Sequence, residues 1–380
     1  MNPEAPQKRR GLMKLRYKIL SGIAVVVVLG VSSLVLAMSH TSPCQPAPAL
    51  PAGTTPMKAI VHRCYGPPDV IRYEEIAKPT AAAGEILVRV HAASVNPLDW
   101  HYLEGTPYVL RIDAGFGRPD DPRLGVDYAG TVEAVGRNVT RFKPGDEVFG
   151  GRFGALAEYI VAREDRAVAL KPANATFEQA AAVAIAGVTA LQALRDKGHL
   201  HAGENVLING ASGGVGTFAV QLAKSFGATV TGVCSTKNVE LVRSIGADHV
   251  IDYTREDFTQ GAQRYDLIID NVATHSLLDY RRVLKPNGVY VMVGSTDPGH
   301  WFGWLSKPIQ AWILSAFTSQ RFGMIFAELK QNDLTTLATF MRDGKLTPVI
   351  DRTYQLSEAG EALRYLEKGH ARGKVVVTVE

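Results

Sequence analysis

Asn209-Gly210-Ala211-Ser212-Gly213-Gly214-Val215-Gly216 lies between the apolar stretch Val206-Leu207-Ile208 and a helical pattern that closes at Gly227. This order of strand, glycine turn and helix is a G-x-G-x-x-G fingerprint with Ala211 in the first glycine position. Gly213 lets the backbone approach a pyrophosphate, and Gly216 lets the helix pack close to the strand. Free N–H groups at the helix start favour phosphate there. A turn needed only for packing could use the same glycines, but the surrounding pattern favours a dinucleotide site. ATVTGVCS (228–235), HVIDY (249–253), YDLIIDNV (265–272) and GVYVMVG (288–294) alternate with helical segments, one ending near Gly246. That alternation predicts βαβ units and a doubly wound parallel sheet in an α/β protein.

The preceding 120 or so residues read differently. KAIVHRC (58–64), EILVRVHAASV (85–95), AGTVEAVG (129–136) and AEYIVARED (157–165) are short β-rich runs between Gly and Pro punctuation. Lys143-Pro144-Gly145-Asp146 is a turn by composition. Thr176 and Gln179 form a capping box ahead of the helical run 180–194.

Cofactor choice turns on the end of the second strand of the parallel sheet. An NAD enzyme usually places an acid there for the ribose 2′-OH, about 20 residues after the glycines. This chain has Cys234-Ser235-Thr236-Lys237, with no acid until Glu240. A hydroxyl and a lysine suit a 2′-phosphate, so NADPH is expected over NADH. The bland alternative is that Lys237 is a solvated lysine at a helix start.

Four motifs stand out: Asn96-Pro97-Leu98-Asp99, Gly125-Val126-Asp127-Tyr128-Ala129-Gly130, the glycines of 209–216, and Gly344-Lys345-Leu346-Thr347-Pro348. With the closing Gly369-His370-Ala371-Arg372-Gly373-Lys374, residues 57–380 resemble the medium-chain dehydrogenase/reductase superfamily, in its zinc-independent quinone oxidoreductase branch. The resemblance implies a GroES-like catalytic domain over 57–183, completed by 325–380, and a Rossmann NADPH-binding domain over 184–324. It also implies an interdomain cleft and a homodimer. The implied cofactor contacts are Ser212, Gly213, Gly214 and Val215 at the phosphates, and Ser235 and Lys237 at the 2′-phosphate. Tyr253 would border the adenosine, Asn271 and Gly294 would sit at strand ends, and His370, Ala371 and Arg372 would close over the cofactor. For Tyr253 the alternative is packing, and for 370–372 a plain turn.

Zinc-dependent members of the superfamily place ligands at positions that here hold Asn96 and Val126, and the third region, AAVAIAGVTAL, offers no donor. Three cysteines (Cys44, Cys64 and Cys234) cannot build a four-cysteine lobe. Zinc is therefore not expected. Without a Lewis acid, reduction of an electrophilic acceptor fits better than alcohol oxidation. The expected activity is hydride transfer from NADPH to a quinone or an α,β-unsaturated carbonyl. The alternatives are a non-catalytic membrane-tethered NADPH sensor or scaffold, and an NADP-dependent alcohol or aldehyde dehydrogenase. Asn96, Tyr102 and Asp127 are the catalytic candidates. Asn96 would hydrogen-bond substrate or ribose, Asp127 and Asp99 would hold loops or line the site, and Tyr102 or Tyr108 could donate a proton.

The amino end adds a membrane reading. Residues 19–38 form an apolar run without a charge, long enough for a ~30 Å hydrocarbon core. The first 18 residues hold six basic residues and one acid, and the rest of the chain holds 35 basic against 36 acidic. No basic surface remains for nucleic acid. Residues 1–18 read as a cytoplasmic tail, 19–38 as an anchor or signal, and the remainder as lying across the membrane. Arg9-Arg10 with Leu12, Met13 and Lys14 resembles a twin-arginine export signal, or is simply a positive flank. Residues 39–56, with five prolines and no charged side chain, read as an extended linker in which Cys44 is inert. Residues 301–318, WFGWLSKPIQAWILSAFT, read as a subunit-interface or lid helix, or as a membrane-facing entrance. The soluble NADPH pool is cytoplasmic, which conflicts with the charge bias unless the cofactor is exported bound or the anchor is inverted.

Overall fold

The computed structural model describes residues 22, 26–294, 299 and 303–379. The basic tail, the rest of the 19–25 segment, Trp301 and Phe302 lie outside the described residues. Residues 26–39 are helical (α1), and no described helix is long and apolar enough to cross a membrane.

In the first domain β1 (Pro56–His62) pairs antiparallel with β2 (Ile71–Ala77). Beside them run β3 (Glu85–Val95), β4 (Asp127–Val135), β5 (Glu147–Gly151), β6 (Tyr159–Arg163) and β7 (Val168–Leu170). Helix α2 (Pro97–Glu104) and the single turn α3 (Arg111–Ala114) fill the connection from β3 to β4. Two helices, α4 (Phe177–Ala181) and α5 (Ala184–Gln192), lead into the second domain. The expected helical run thus breaks at Ala182–Val183. The break has a cause: the buried Asp127 carboxylate accepts the Ile185 N–H at 3.0 Å, satisfying an unpaired donor in the first turn of α5.

The second domain holds β8 (Asn205–Asn209), α6 (Gly214–Ser225), β9 (Thr229–Cys234), α7 (Val239–Ser244), β10 (His249–Asp252), β11 (Tyr265–Asp270), α8 (Leu277–Val283), β12 (Leu284–Met292), α9 (Gly303–Ala316) and β13 (Arg321–Met324). Its six parallel strands run in the order β10-β9-β8-β11-β12-β13, the doubly wound 3-2-1-4-5-6 pattern. Val206, Leu207 and Ile208 are fully buried because both sheet faces are covered, which explains their continuous apolarity. Beyond α10 (Gln331–Arg342), β14 (Ile350–Gln355), α11 (Ala359–Glu367) and β15 (Lys374–Thr378) return to the first domain. Its seven-stranded sheet then runs β14-β15-β3-β4-β5-β7, with β6 on β3. This return brings Lys374 against the glycine turn.

Two expectations for the linker need correction. Cys44 is not inert: it forms a disulfide with Cys64, with Cα atoms 4.5 Å apart. Nor is the start of the linker a free tether, because Ser42 N–H donates to the Gly117 carbonyl at 2.8 Å.

Candidate active site

The glycine turn is built as its sequence requires. Gly210 has φ +74°, and a Cβ there would lie 2.8 Å from Val272 Cγ2. A Cβ on Gly216 would lie 2.1 Å from the Gly210 carbonyl oxygen, so only glycine allows α6 to approach β8 this closely. A Cβ on Gly213 meets nothing nearer than 3.4 Å, so the fold alone tolerates a side chain there. Gly213, Gly214 and Val215 are partly exposed at the N-terminus of α6, which places N–H groups where an anion is favoured.

Asn238, which the sequence reading missed, ties this turn to the end of β9. Its amide nitrogen donates to Ser212 Oγ at 3.0 Å and to Ser235 Oγ at 3.2 Å. Its Oδ1 is buried without a partner. Lys237 is exposed beside it, and Tyr253, 59% exposed, donates its N–H to the Cys234 carbonyl. Asp252 also reaches this corner. Its carboxylate accepts the hydroxyls of Thr236 (2.6 Å) and Thr254 (2.7 Å) and pairs with Arg255, and these contacts, the Thr236 bond first, hold its pKa below the ordinary value.

On the other side of the turn Asn271 donates to the Asn209 carbonyl at 2.8 Å, and its Oδ1 is likewise buried without a partner. Gly294 is adjacent: a Cβ there would be 3.3 Å from the Asn271 carbonyl oxygen. The loop carrying Asn271 is shaped by buried Asp270, whose carboxylate accepts from Asn209 (2.9 Å), Tyr290 (2.7 Å) and Ala273 N–H (2.9 Å). Burial, with Asp270 adding to it, holds the Tyr280 and Tyr290 phenols far above their usual range. Gly373 N–H donates to the Ser212 carbonyl at 2.9 Å, which draws 370–374 to the turn. His370 and Arg372 are exposed, and Ala371 is partly buried.

Asn96, Asp127 and Lys374 form one buried cluster. Lys374 Nζ donates to Asn96 Oδ1 and lies 3.5 Å from Asp127 Oδ2. The same Asp127 oxygen accepts Asn96 Nδ2 and Ser94 Oγ, both at 3.0 Å. Burial raises the Asp127 pKa and lowers that of Lys374, and the ion pair opposes both shifts. Asp99 accepts the Asn96 N–H at 2.7 Å, and its carboxyl is pushed up to about 7, by burial first, then by Asp127 nearby. Asn96 is only 2% exposed and Asp127 not at all, so both side chains serve this cluster rather than an open cleft. Lys374 was not anticipated. Its Cδ would stand 3.5 Å from a Cβ on Gly214, so the cluster abuts the glycine turn. Tyr102, on α2, is partly exposed and packs against Phe153 with ring centres 4.5 Å apart, and burial raises its pKa. Next to it His101 stacks on Trp100, has a buried Nδ1 without a partner, and is pushed down by burial.

A GroES-like β-domain set against a doubly wound sheet with a glycine turn defines a two-domain, nucleotide-dependent oxidoreductase. Comparison with known proteins agrees. A model described as the alcohol dehydrogenase GroES-like domain matches residues 82–172, and one described as zinc-binding dehydrogenase matches 245–377. The trans-enoyl reductase pgmF of Aspergillus terreus is 36% identical, covering 78% of this chain and 86% of its own. The mitochondrial NAD(P)H oxidoreductase RTN4IP1 of Mus musculus is 34% identical, covering 86% and 90%. The solved quinone oxidoreductase of Coxiella burnetii superposes with a TM-score of 0.75 at 30% identity, covering 86% of this chain and all of that one. The chain belongs to the medium-chain dehydrogenase/reductase superfamily, in its quinone oxidoreductase branch. It is an enzyme of the oxidoreductase class.

Proposed function

We propose that the chain reduces a quinone or an α,β-unsaturated carbonyl with NADPH and without zinc. The observation that carries this reading is the pair of unpartnered buried oxygens, Asn238 Oδ1 and Asn271 Oδ1, flanking a turn where a Cβ on Gly213 would meet nothing nearer than 3.4 Å. They suit a ligand that offers donors on both sides of its phosphates. Gly213, Gly214 and Val215 would hold the pyrophosphate, and Ser212 would be oriented by Asn238. Ser235 and Lys237 would take the 2′-phosphate, and Tyr253 would border the adenosine. Asn271 and Gly294 would hold the nicotinamide end, with His370, Ala371 and Arg372 closing over it. When bound, NADPH supplies a hydride to the electrophilic acceptor, and solvent supplies the proton that completes the reduction. The names of the relatives, an enoyl reductase and a quinone oxidoreductase, support electrophilic acceptors. The donor set does not suit a metal: Asn96 and Val126 stand at the ligand positions, and among the described residues no three His, Cys, Asp or Glu side chains gather. The full chain in detergent, mixed with a short-chain quinone, should oxidise NADPH faster than NADH. Bound but unoxidised NADPH, with both quinone and enone present, would refute the reading.

The apolar run 19–38 is proposed to sit in a membrane. In support, α1 exposes apolar side chains around its whole circumference, including Val26 (69%), Leu29 (62%) and Leu36 (69%), which water does not tolerate. The Cys44–Cys64 disulfide and the basic flank together favour a globular part outside the cytoplasm, with export of the loaded enzyme supplying NADPH. Protease added to spheroplasts should then digest it; protection would place it inside. A homodimer is proposed through the β13 edge and the α9 face bearing Ile309, Trp312 and Ile313. Trp312→Glu should yield monomers in sedimentation, and unchanged mass would exclude that face.

A further inference from the structure

The chain leaving α1 is clamped onto the first domain at residues 38–44. Arg111 Nη1 donates to the carbonyls of Met38 (3.0 Å) and His40 (2.7 Å), and Nη2 to Thr41 Oγ1 (3.3 Å). The guanidinium is itself fixed, 4.4 Å from the Tyr65 ring centre and 4.6 Å from that of Tyr108, with Nε donating to Gly105. Thr41 bridges to Gly117, whose φ is +74° and where a Cβ would lie 2.8 Å from Ser42 Oγ. The disulfide at Cys44 closes the strap.

A free linker of 18 residues would let the domain drift some 25 Å from the bilayer. The strap removes that slack. Residues 109–116 are thereby held at the foot of α1, and they expose Val109 (38%), Ile112 (58%) and Phe116 (53%). Ile112 adjoins the arginine that grips Met38, and Phe116 adjoins the glycine paired with Thr41. Charges beside them are of both signs (Asp113, Arg118, Asp120), so the surface suits apolar insertion rather than attraction to anionic lipid.

We infer that residues 109–116 form a membrane-docking surface, with Val109, Ile112 and Phe116 entering the lipid headgroup layer beside α1. Residues 109–116 follow α2, which carries Tyr102, so an acceptor with a long apolar tail would approach that part of the first domain from the bilayer. This inference rests on the proposed reductase activity and on α1 lying in a membrane.

The test uses the full chain in vesicles of phosphatidylcholine and phosphatidylglycerol. The double variant I112E/F116E should raise KM for a quinone with a decyl tail by about tenfold or more, and leave KM for a tailless quinone unchanged. Separately, the F116W variant should show added tryptophan emission that brominated lipids quench. An unmoved KM for the decyl quinone together with unquenched Trp emission overturns the inference. So does loss of dimer in I112E/F116E without quenching, which would make the surface a contact between copies. If the wild type reduces neither quinone, the activity reading fails instead, and quenching at position 116 still decides the docking surface.

Discussion

The glycine turn and the Asn96–Asp127–Lys374 cluster lie side by side, yet they reach their geometry by opposite means. The turn is made by what is missing: Gly210 and Gly216 lack the Cβ atoms that would strike Val272 and the Gly210 carbonyl. The cluster is made by what is present, one amide and two ionisable side chains from three distant segments, buried together. The first arrangement is local and rests on sterics. The second depends on the whole fold, and its charges are expensive unless every partner stays in place.

Breaking the cluster should therefore have the largest effect. Lys374→Met leaves the Asp127 carboxylate buried without its cation and should cost about 3–5 kcal/mol in urea unfolding. Adding Asp127→Asn should recover part of that loss; a simple sum of the two single effects would deny that they form one unit. Gly216→Val forces the backbone apart and should cost roughly 3 kcal/mol while abolishing NADPH binding in calorimetry.

The first domain carries a further buried ionisable group at His62, which tests whether such burial sets its acid stability. Burial lowers this imidazole to about 4, below its ordinary 6.5. The native state favours the neutral ring, so the contribution is full above pH 6.5 and is lost as pH falls through 4. It should reach roughly 3 kcal/mol by linkage. Unfolding of His62→Gln should show a flatter pH profile between 6.5 and 4; an identical profile would clear His62 of that role.

Gly213→Ala sharpens the contrast from the other side. The fold has room for this methyl group, so thermal stability of the free protein should hold while the NADPH Kd rises about tenfold. Lys237→Ala should have the smallest effect, narrowing the preference for NADPH over NADH by roughly fivefold in KM.

The sequence shows these two regions unequally, and the reason is physical. The parallel sheet, its strand order class and the glycine turn were legible because each depends on neighbours within a few residues. Asn238 and Lys374 were not, because their partners lie 26 and 278 residues away. The helical run around Ala182 was misread as continuous because its break is imposed by Asp127, 58 residues from Ile185. Cys44 looked inert because no pattern in the linker shows that Arg111 grips the chain beside it. The motif around Asn96 drew attention to that residue, but its engagement with Lys374 and Asp127 could be seen only in three dimensions.

The proposed reaction passes a hydride directly from the nicotinamide of NADPH to an electrophile. It is tested most directly with NADPH carrying deuterium at the transferable position and an enone as acceptor. Deuterium is expected on the β-carbon of the product, with a proton from solvent on the α-carbon. A reduced product whose β-hydrogen comes from solvent would contradict it.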